Sequence, residues 1–447
     1  MYIMNSSVNE NSQVYYTGRY WNDYPECMSI INKRLFGQDI DWKDYLLDNG
    51  NSGFEHALIL NCGNGRVERE LYDTGIIKKA TAVEYIKELV DQCNKNKGSR
   101  DITYIQHDIN TISFPENTFD CVINFAACHH IMKIEEVMVN ITRWLEPNGC
   151  FIHNDYIGPQ RNQYSRQTWN AMNIVNNSIN KKYRKHLGYP DVQQMMLDDP
   201  TEAINSNSIL PVLYDLFDIQ THTKSGGAIA YEILTHNPLL FNMNPTLRKA
   251  LVEYIMKKDL EYMNATGESF FHFIVAVNTK NIDSKVIRKN LYHMNVRERR
   301  AEKTFGHYCY NKLETECIVK CDNPNSYEKS FFVHGFSAIE STGRWSDQET
   351  SIIMFKYENT DPRRLLLNVT PMPNVQQKVT INTNETENST IVVTSEQVLE
   401  IPLTPNNDYP DEAVVIMKYH DLKSPKELGI GDDGRKLGLF FKWIKLI

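Results

Sequence analysis

The sequence predicts an α/β domain followed by an all-β sandwich, and three observations predict it. The chain has 447 residues, more than one ordinary core accommodates. From about residue 54 to 279, apolar runs of strand length alternate with helical patterns, the order that βαβ units and a parallel sheet produce. Beyond about 330 the texture changes to short alternating runs such as FFVHGFSAI, TSIIMFKYE, RRLLLNVTP, KVTINTN and EAVVIMKYH. Turn clusters (NTNETENS, TPNNDYPD, GIGDDG) separate these runs, the pattern of an antiparallel sandwich. The expected division is an aromatic and polar segment 1–53, an α/β domain 54–280, a linker 281–329 and a sandwich 330–447. The charge run NVRERRAEK in the linker reads as a solvated helix face.

Composition bounds the function. The net charge of −8 disfavours a nucleic-acid partner, whose backbone wants a basic footprint. No apolar run reaches the length of a transmembrane helix, and the polar N-terminus has no basic-then-apolar leader pattern. Nine scattered cysteines read as reduced thiols, so a cytoplasmic protein is expected. Cys309, Cys317 and Cys321, with His307 nearby, fit no zinc spacing.

The α/β domain opens on ALILNCGNGRVERELYDTGIIKKATAVEY, residues 57–85. HALILNC reads as a buried strand. Gly63 and Gly65 permit a tight turn and a close approach of backbone to a ligand. RVERELYDTG follows as a helix packed through Val67 and Leu71 and stopped by Gly75. KKATAVEY is the second strand, and Glu84 at its end is placed to accept bonds from two ribose hydroxyls. Dinucleotide sites usually carry a small residue three beyond the second glycine, beneath the pyrophosphate. Here that residue is Glu68, whose carboxylate would repel one, so the turn suits a ligand without phosphates.

S-adenosylmethionine is such a ligand. The stretch resembles motif I of the class I S-adenosylmethionine-dependent methyltransferases, and the resemblance continues through YIQHDINTISFPENTFDCVINFAACHHI and MVNITRWLEPNGCFIHNDYIGP, about 55–158 in all. It implies a Rossmann-like domain with S-adenosylmethionine as cofactor. Contacts would come from Gly63, Gly65, Glu84, Asp108 (to the adenine amine), Ile109 and Phe125. Asn61 stands where the family often has glycine, and its amide would still reach the methionine moiety. Tyr20 and Trp21 resemble an entry segment that covers the cofactor, with packing as the plainer role. Segments within 151–279, such as HNDYIGPQRNQYSRQTWN, resemble a subgroup associated with polysaccharide and other glycan biosynthesis.

Methyl transfer from a sulfonium needs in-line alignment and, for a hydroxyl acceptor, a base. Ligands of open α/β sheets bind at the carboxyl ends of the strands. His129 and His130 follow strand four, and Asp155 and Tyr156 follow strand five. One of the histidines is the expected base, with Asp155 as its orienter or as an alternative base. Each weighs against a capping or packing role. Arg161, through its bidentate fork, and Gln163 are the expected acceptor-binding residues with Tyr156. Asp155 with a neighbouring histidine could hold a divalent metal but makes an incomplete ligand set, so no metal residue is assigned and metal dependence stays open.

In the C-terminal part, HGFSAIESTGRWSDQ and SPKELGIGDDGRKLG resemble two motifs of an accessory β-domain of polysaccharide-biosynthesis enzymes, distant in sequence but able to meet in a sandwich. Gly335, Glu340, Gly343, Arg344, Trp345 and Ser346 fill the first, and Pro425, Glu427, Leu428, Gly429, Asp433, Arg435, Leu437 and Gly438 the second. Two roles stay open: a sugar-stacking surface, or an ion-pair network of Arg344, Glu340 and Asp433 around a buried Trp. The function expected is methyl transfer to a glycan or glycan precursor. The alternatives are another small-molecule, lipid or protein acceptor, or an inactive glycan-binding protein.

Overall fold

The structure is a computed structural model that describes residues 19–279, 282–323, 327–358, 363–384 and 387–447. It divides into two compact units. The first comprises 1–162, 170–186 and 198–295, and the second 163–169, 187–197 and 296–447.

The first unit is built on a seven-stranded sheet of order β3-β2-β1-β4-β5-β7-β6. Its strands are β1 (Ala57–Ile59), β2 (Ala80–Glu84), β3 (Ile102–Gln106), β4 (Phe119–Phe125), β5 (Leu145–Tyr156), β6 (Asp218–Gly226) and β7 (Phe271–Val277). β1 to β5 run parallel, while β7 pairs antiparallel with both β5 and β6. The parallel strands are buried on both faces, which is why Ala57–Ile59 and Ala80–Glu84 read as continuous apolar runs. The helix Arg66–Asp73 follows β1, Lys87–Asn96 follows β2, and Ile134–Trp144 joins β4 to β5. Val137, Met138, Ile141 and Trp144 of the last helix share one core with Leu58, Val122, Phe151 and Leu213. The strand reversals from β1 to β4 leave the carboxyl ends of β1, β2, β4 and β5 around one crevice, where open α/β sheets bind ligands.

The second unit holds two five-stranded antiparallel sheets. One contains β8 (Ile318–Lys320), β10 (Arg344–Trp345), β12 (Arg363–Pro371), β15 (Gln397–Leu403) and β17 (Leu439–Leu446). The other contains β9 (Phe332–His334), β11 (Thr350–Lys356), β13 (Gln377–Thr383), β14 (Glu387–Val393) and β16 (Glu412–His420). Alternate residues such as Leu365, Leu367 and Val369 are buried, and Phe332 of one sheet meets Phe441 of the other with ring centroids 6.3 Å apart. This is the expected sandwich.

The expected boundaries fall elsewhere. The segment 281–329 is not a simple linker: Ser284–Lys303 is helical, residues from 296 belong to the second unit, and β8 adds to β17. The segments 163–169 and 187–197, from the middle of the α/β region, also belong to the second unit. Residues 1–18 of the expected N-terminal segment lie outside the described residues. All nine cysteines are free thiols, and no described helix is long and apolar enough to cross a membrane.

Candidate active site

The glycine turn forms where β1 ends. Gly63 and Gly65 take left-handed backbone conformations (φ 59° and 71°), and Asn61 does as well (φ 41°). At Gly65 an added Cβ would lie 2.6 Å from Arg69 Nη1 and 2.7 Å from both Cys93 Sγ and Glu68 Oε1. Opposite, Glu84 accepts from Gly63 N at 2.9 Å through Oε2 and from Ile86 N at 2.9 Å through Oε1. It thus clamps the turn to the end of β2. Each oxygen keeps a second lone pair, the capacity that two ribose hydroxyls need. Burial raises the Glu84 carboxyl above its ordinary value, against the backbone bonds that lower it.

Glu68 lies fully buried under the turn. Burial, opposed in part by Tyr104 and Arg69, pushes its carboxyl up to about 7. In the loop after β3, Asp108 Oδ1 accepts from Asn110 N and Nδ2 at 2.9 and 2.8 Å, which fixes the carboxylate; Ile109 beside it is buried. Phe125, at the end of β4, stacks on Trp42 at 5.6 Å. The turn thus joins left-handed backbone at Gly63 and Gly65 to an acid at the end of β2.

The histidine and aspartate candidates come together. Asp155, 2% exposed, accepts from Asn124 Nδ2 (3.0 Å), Ala127 N (3.1 Å), Tyr156 N (2.6 Å) and His129 N (3.3 Å). Its Oδ1 also lies 2.6 Å from His129 Nδ1. Burial alone would raise the Asp155 carboxyl and lower the His129 imidazolium. Their mutual attraction outweighs burial, holding Asp155 well below the usual carboxylate range and raising His129. His130 stacks on His129 with centroids 4.1 Å apart and bonds Thr201 Oγ1 through Nδ1 at 3.1 Å. Burial and the neighbouring His129 lower its pKa.

The other candidates are held differently from expectation. The Arg161 guanidinium is buried and donates to the carbonyls of Glu202 (3.0 Å) and Pro200 (2.7 Å), so it braces the 200–202 loop instead of presenting a fork to an anion. Gln163 falls in the second unit, buried, with Nε2 donating to the Pro190 carbonyl at 3.1 Å. Tyr156 turns its hydroxyl to the Pro159 carbonyl (3.0 Å), and burial raises its pKa. Trp21 is buried against Phe271 at 4.9 Å, the packing role, and Tyr20 packs edge-on to His236. Asn124, Asp199, Thr201 and Glu202 were not singled out by the sequence. Glu202 sits in an unpatterned loop, DDPTEA, and only the fold brings it to the histidines.

Comparison with known proteins matches residues 58–153 to the model described as methyltransferase domain. Residues 320–447 match a second family, described as a domain of unknown function, DUF7024. Among curated relatives, a fatty-acid O-methyltransferase of Mycolicibacterium smegmatis is 23% identical, with 23% of this chain and 37% of the relative covered. The ubiquinone/menaquinone biosynthesis C-methyltransferase UbiE of Pasteurella multocida is 25% identical, with 23% and 44% covered. The chain thus spans well under two thirds of the curated relatives it matches. An S-adenosylmethionine-dependent methyltransferase structure from Mesorhizobium loti aligns at 13% identity and TM-score 0.32, covering 51% of this chain and 92% of that one. The matched methyltransferase domain contains the whole glycine turn, Glu84, Asp108, His129 and His130, and it ends just short of Asp155.

In the second unit the two C-terminal motifs do meet. Arg344 and Trp345 pair with Phe441 and Phe440, and Ser346 Oγ accepts from Leu439 N at 2.8 Å. Of the two roles left open, the ion-pair network of Arg344, Glu340 and Asp433 is not the arrangement seen: Arg344 donates to the Ser337 carbonyl (2.8 Å) and lies over the Phe332 and Phe336 rings, while Asp433 pairs with Arg435 (2.6 Å). Burial pushes the Arg344 guanidinium down to about 10.

Proposed function

We propose that the chain transfers a methyl group from S-adenosylmethionine to a hydroxyl of a sugar in a surface polysaccharide or glycan precursor. The observation that carries the methyl-donor half is the turn clamped by Glu84, with Gly65 too crowded for any side chain, inside the matched domain. When bound, the cofactor supplies an electrophilic methyl on a sulfonium. Gly63 and Gly65 would take the methionine moiety, Glu84 the ribose, and Asp108 with Ile109 the adenine. Holding donor and acceptor in line supplies on the order of 7–11 kcal/mol in favourable cases. On the acceptor side, Asp155 holds the His129 ring through Nδ1 and so sets the direction of Nε2.

The sugar acceptor rests on the resemblance of segments within 151–279 and of the two sandwich motifs to glycan-biosynthesis proteins. A second reading, an acyl or quinone-type acceptor, is favoured by the names of the curated relatives, whose match covers the cofactor-binding half. Isothermal titration with S-adenosylhomocysteine, with NAD as control, tests the donor half. Micromolar binding of the former alone is expected, weakened at least about tenfold in Gly65→Val, since a branched residue in a left-handed conformation costs about 1–2 kcal/mol or more. Absence of binding would overturn the reading. Assay against polysaccharides, sugar nucleotides, fatty acids and quinones then separates the acceptors.

A further inference from the structure

Beside the His129–Asp155 pair the fold gathers three further candidate ligand atoms. Glu202 Oε2 lies 3.8 Å from His129 Nε2 and 3.8 Å from His130 Nε2. All three candidate ligand atoms lie within 4.8 Å of one another. The outer face of each imidazole is already fixed. His129 Nδ1 faces the Asp155 carboxylate at 2.6 Å, so that nitrogen carries the hydrogen. Thr201 Oγ1 donates to Asp199 Oδ1 at 2.8 Å, so at 3.1 Å it accepts from His130 Nδ1. Nε2 of each ring is then the nitrogen left to face the same Glu202 oxygen.

The surroundings hold the arrangement in place. Asn162 Nδ2 reaches the other Glu202 oxygen at 3.5 Å. Arg161 binds the carbonyls on either side of Thr201, and its own N–H donates to the Ala203 carbonyl at 2.8 Å. Ile204 N donates to the His129 carbonyl at 3.1 Å, tying the loop to the histidines directly. An oxygen partner on each ligating histidine is the outer shell that metal-binding imidazoles use to set tautomer and direction. The side chains are 10%, 25% and 30% exposed for His129, His130 and Glu202, so the group is reachable from solvent.

We propose that His129, His130 and Glu202 form a site for one divalent cation of the zinc class, with a fourth position open to an oxygen ligand. Two imidazoles and one carboxylate suit borderline cations such as zinc and cobalt over magnesium or calcium, which take oxygen ligands. Donors at about 2.1 Å in tetrahedral geometry stand about 3.4 Å apart, a few tenths of an ångström inside the distances seen here. An acceptor hydroxyl at the open position would be acidified there. That use rests on the methyl-transfer reading above; the site itself does not.

The test uses the full chain, stripped with a chelator and titrated with cobalt(II) while the visible spectrum is followed. One equivalent bound is the expected result, without the thiolate charge-transfer band that Cys62 and Cys93, which group with Glu68 at the glycine turn, would give. Glu202→Gln and His130→Gln are expected to weaken that binding by about ten- to a hundredfold, the loss typical of a damaged metal shell. S-adenosylhomocysteine affinity of both variants, measured in parallel, is expected to match the parent, which shows them folded and reports the methyl-donor reading separately. No stoichiometric binding by the parent chain, or binding undiminished in Glu202→Gln, would overturn the site.

Discussion

Glu68 is the residue whose chemistry is most unusual for its place. It is fully buried under the glycine turn and its carboxyl is raised from 4.5 to about 7. The folded state therefore keeps a proton that the unfolded chain releases at lower pH. Stability falls as pH rises from about 4.5 to about 7 and is level above that, a total of about 3 kcal/mol for this group. Glu68→Gln removes the ionisation, so its stability relative to the parent is expected to improve between pH 5 and pH 8; chemical denaturation at both pH values checks this, and an equal pH response in the two proteins would refute it. At this scale the sequence was legible where the signal is local. Gly63, Gly65, Glu84 and Asp108 lie on one short pattern, and their geometry follows from strand, turn and strand. Glu68 was read as a carboxylate that would repel a pyrophosphate, but its burial was not visible. Arg161 was misread because an arginine near a strand end looks the same whether its fork meets a ligand or the carbonyls of a loop forty residues on.

At the scale of elements, the first five strands follow from periodicity and their parallel pairing from the helices between them. The antiparallel β7 could not be read that way, since FHFIVAV is buried on both sides and looks like any central strand. The sandwich was legible through alternation, and its motifs meet because β10 pairs with β17. Gly335, just after β9, shows why that motif begins with glycine. Its φ is 74°, and an added Cβ would lie 2.0 Å from the Thr350 carbonyl oxygen and 3.0 Å from Ser351 Cα, backbone that belongs to β11. Gly335→Ala is expected to destabilise the second unit by more than about 2 kcal/mol. A thermal melt superimposable on the parent's would refute that placement.

For the whole molecule, the domain plan was the least legible feature. Texture along the chain marks where helices give way to strands, but it cannot show that 163–169 and 187–197 join the later unit. Tyr164, Trp169 and Tyr189 are almost fully buried there, and Asn311 donates to the Tyr164 carbonyl (3.1 Å) and the Tyr189 hydroxyl (2.7 Å). A chain ending at residue 295 would expose these aromatics. It is expected to give mostly aggregated protein, read by size-exclusion chromatography, whereas a soluble monomer with parental S-adenosylhomocysteine affinity would show the units to be separable.

The same interleaving sets a timetable during synthesis. The two early segments leave the ribosome long before residues 296–447 exist to receive them. At about 5–20 residues per second, the remainder takes on the order of tens of seconds to be made. For that interval the nascent chain carries unfinished aromatic surface, so its yield in a cell should depend on chaperone supply more than that of a protein whose domains are completed one after the other.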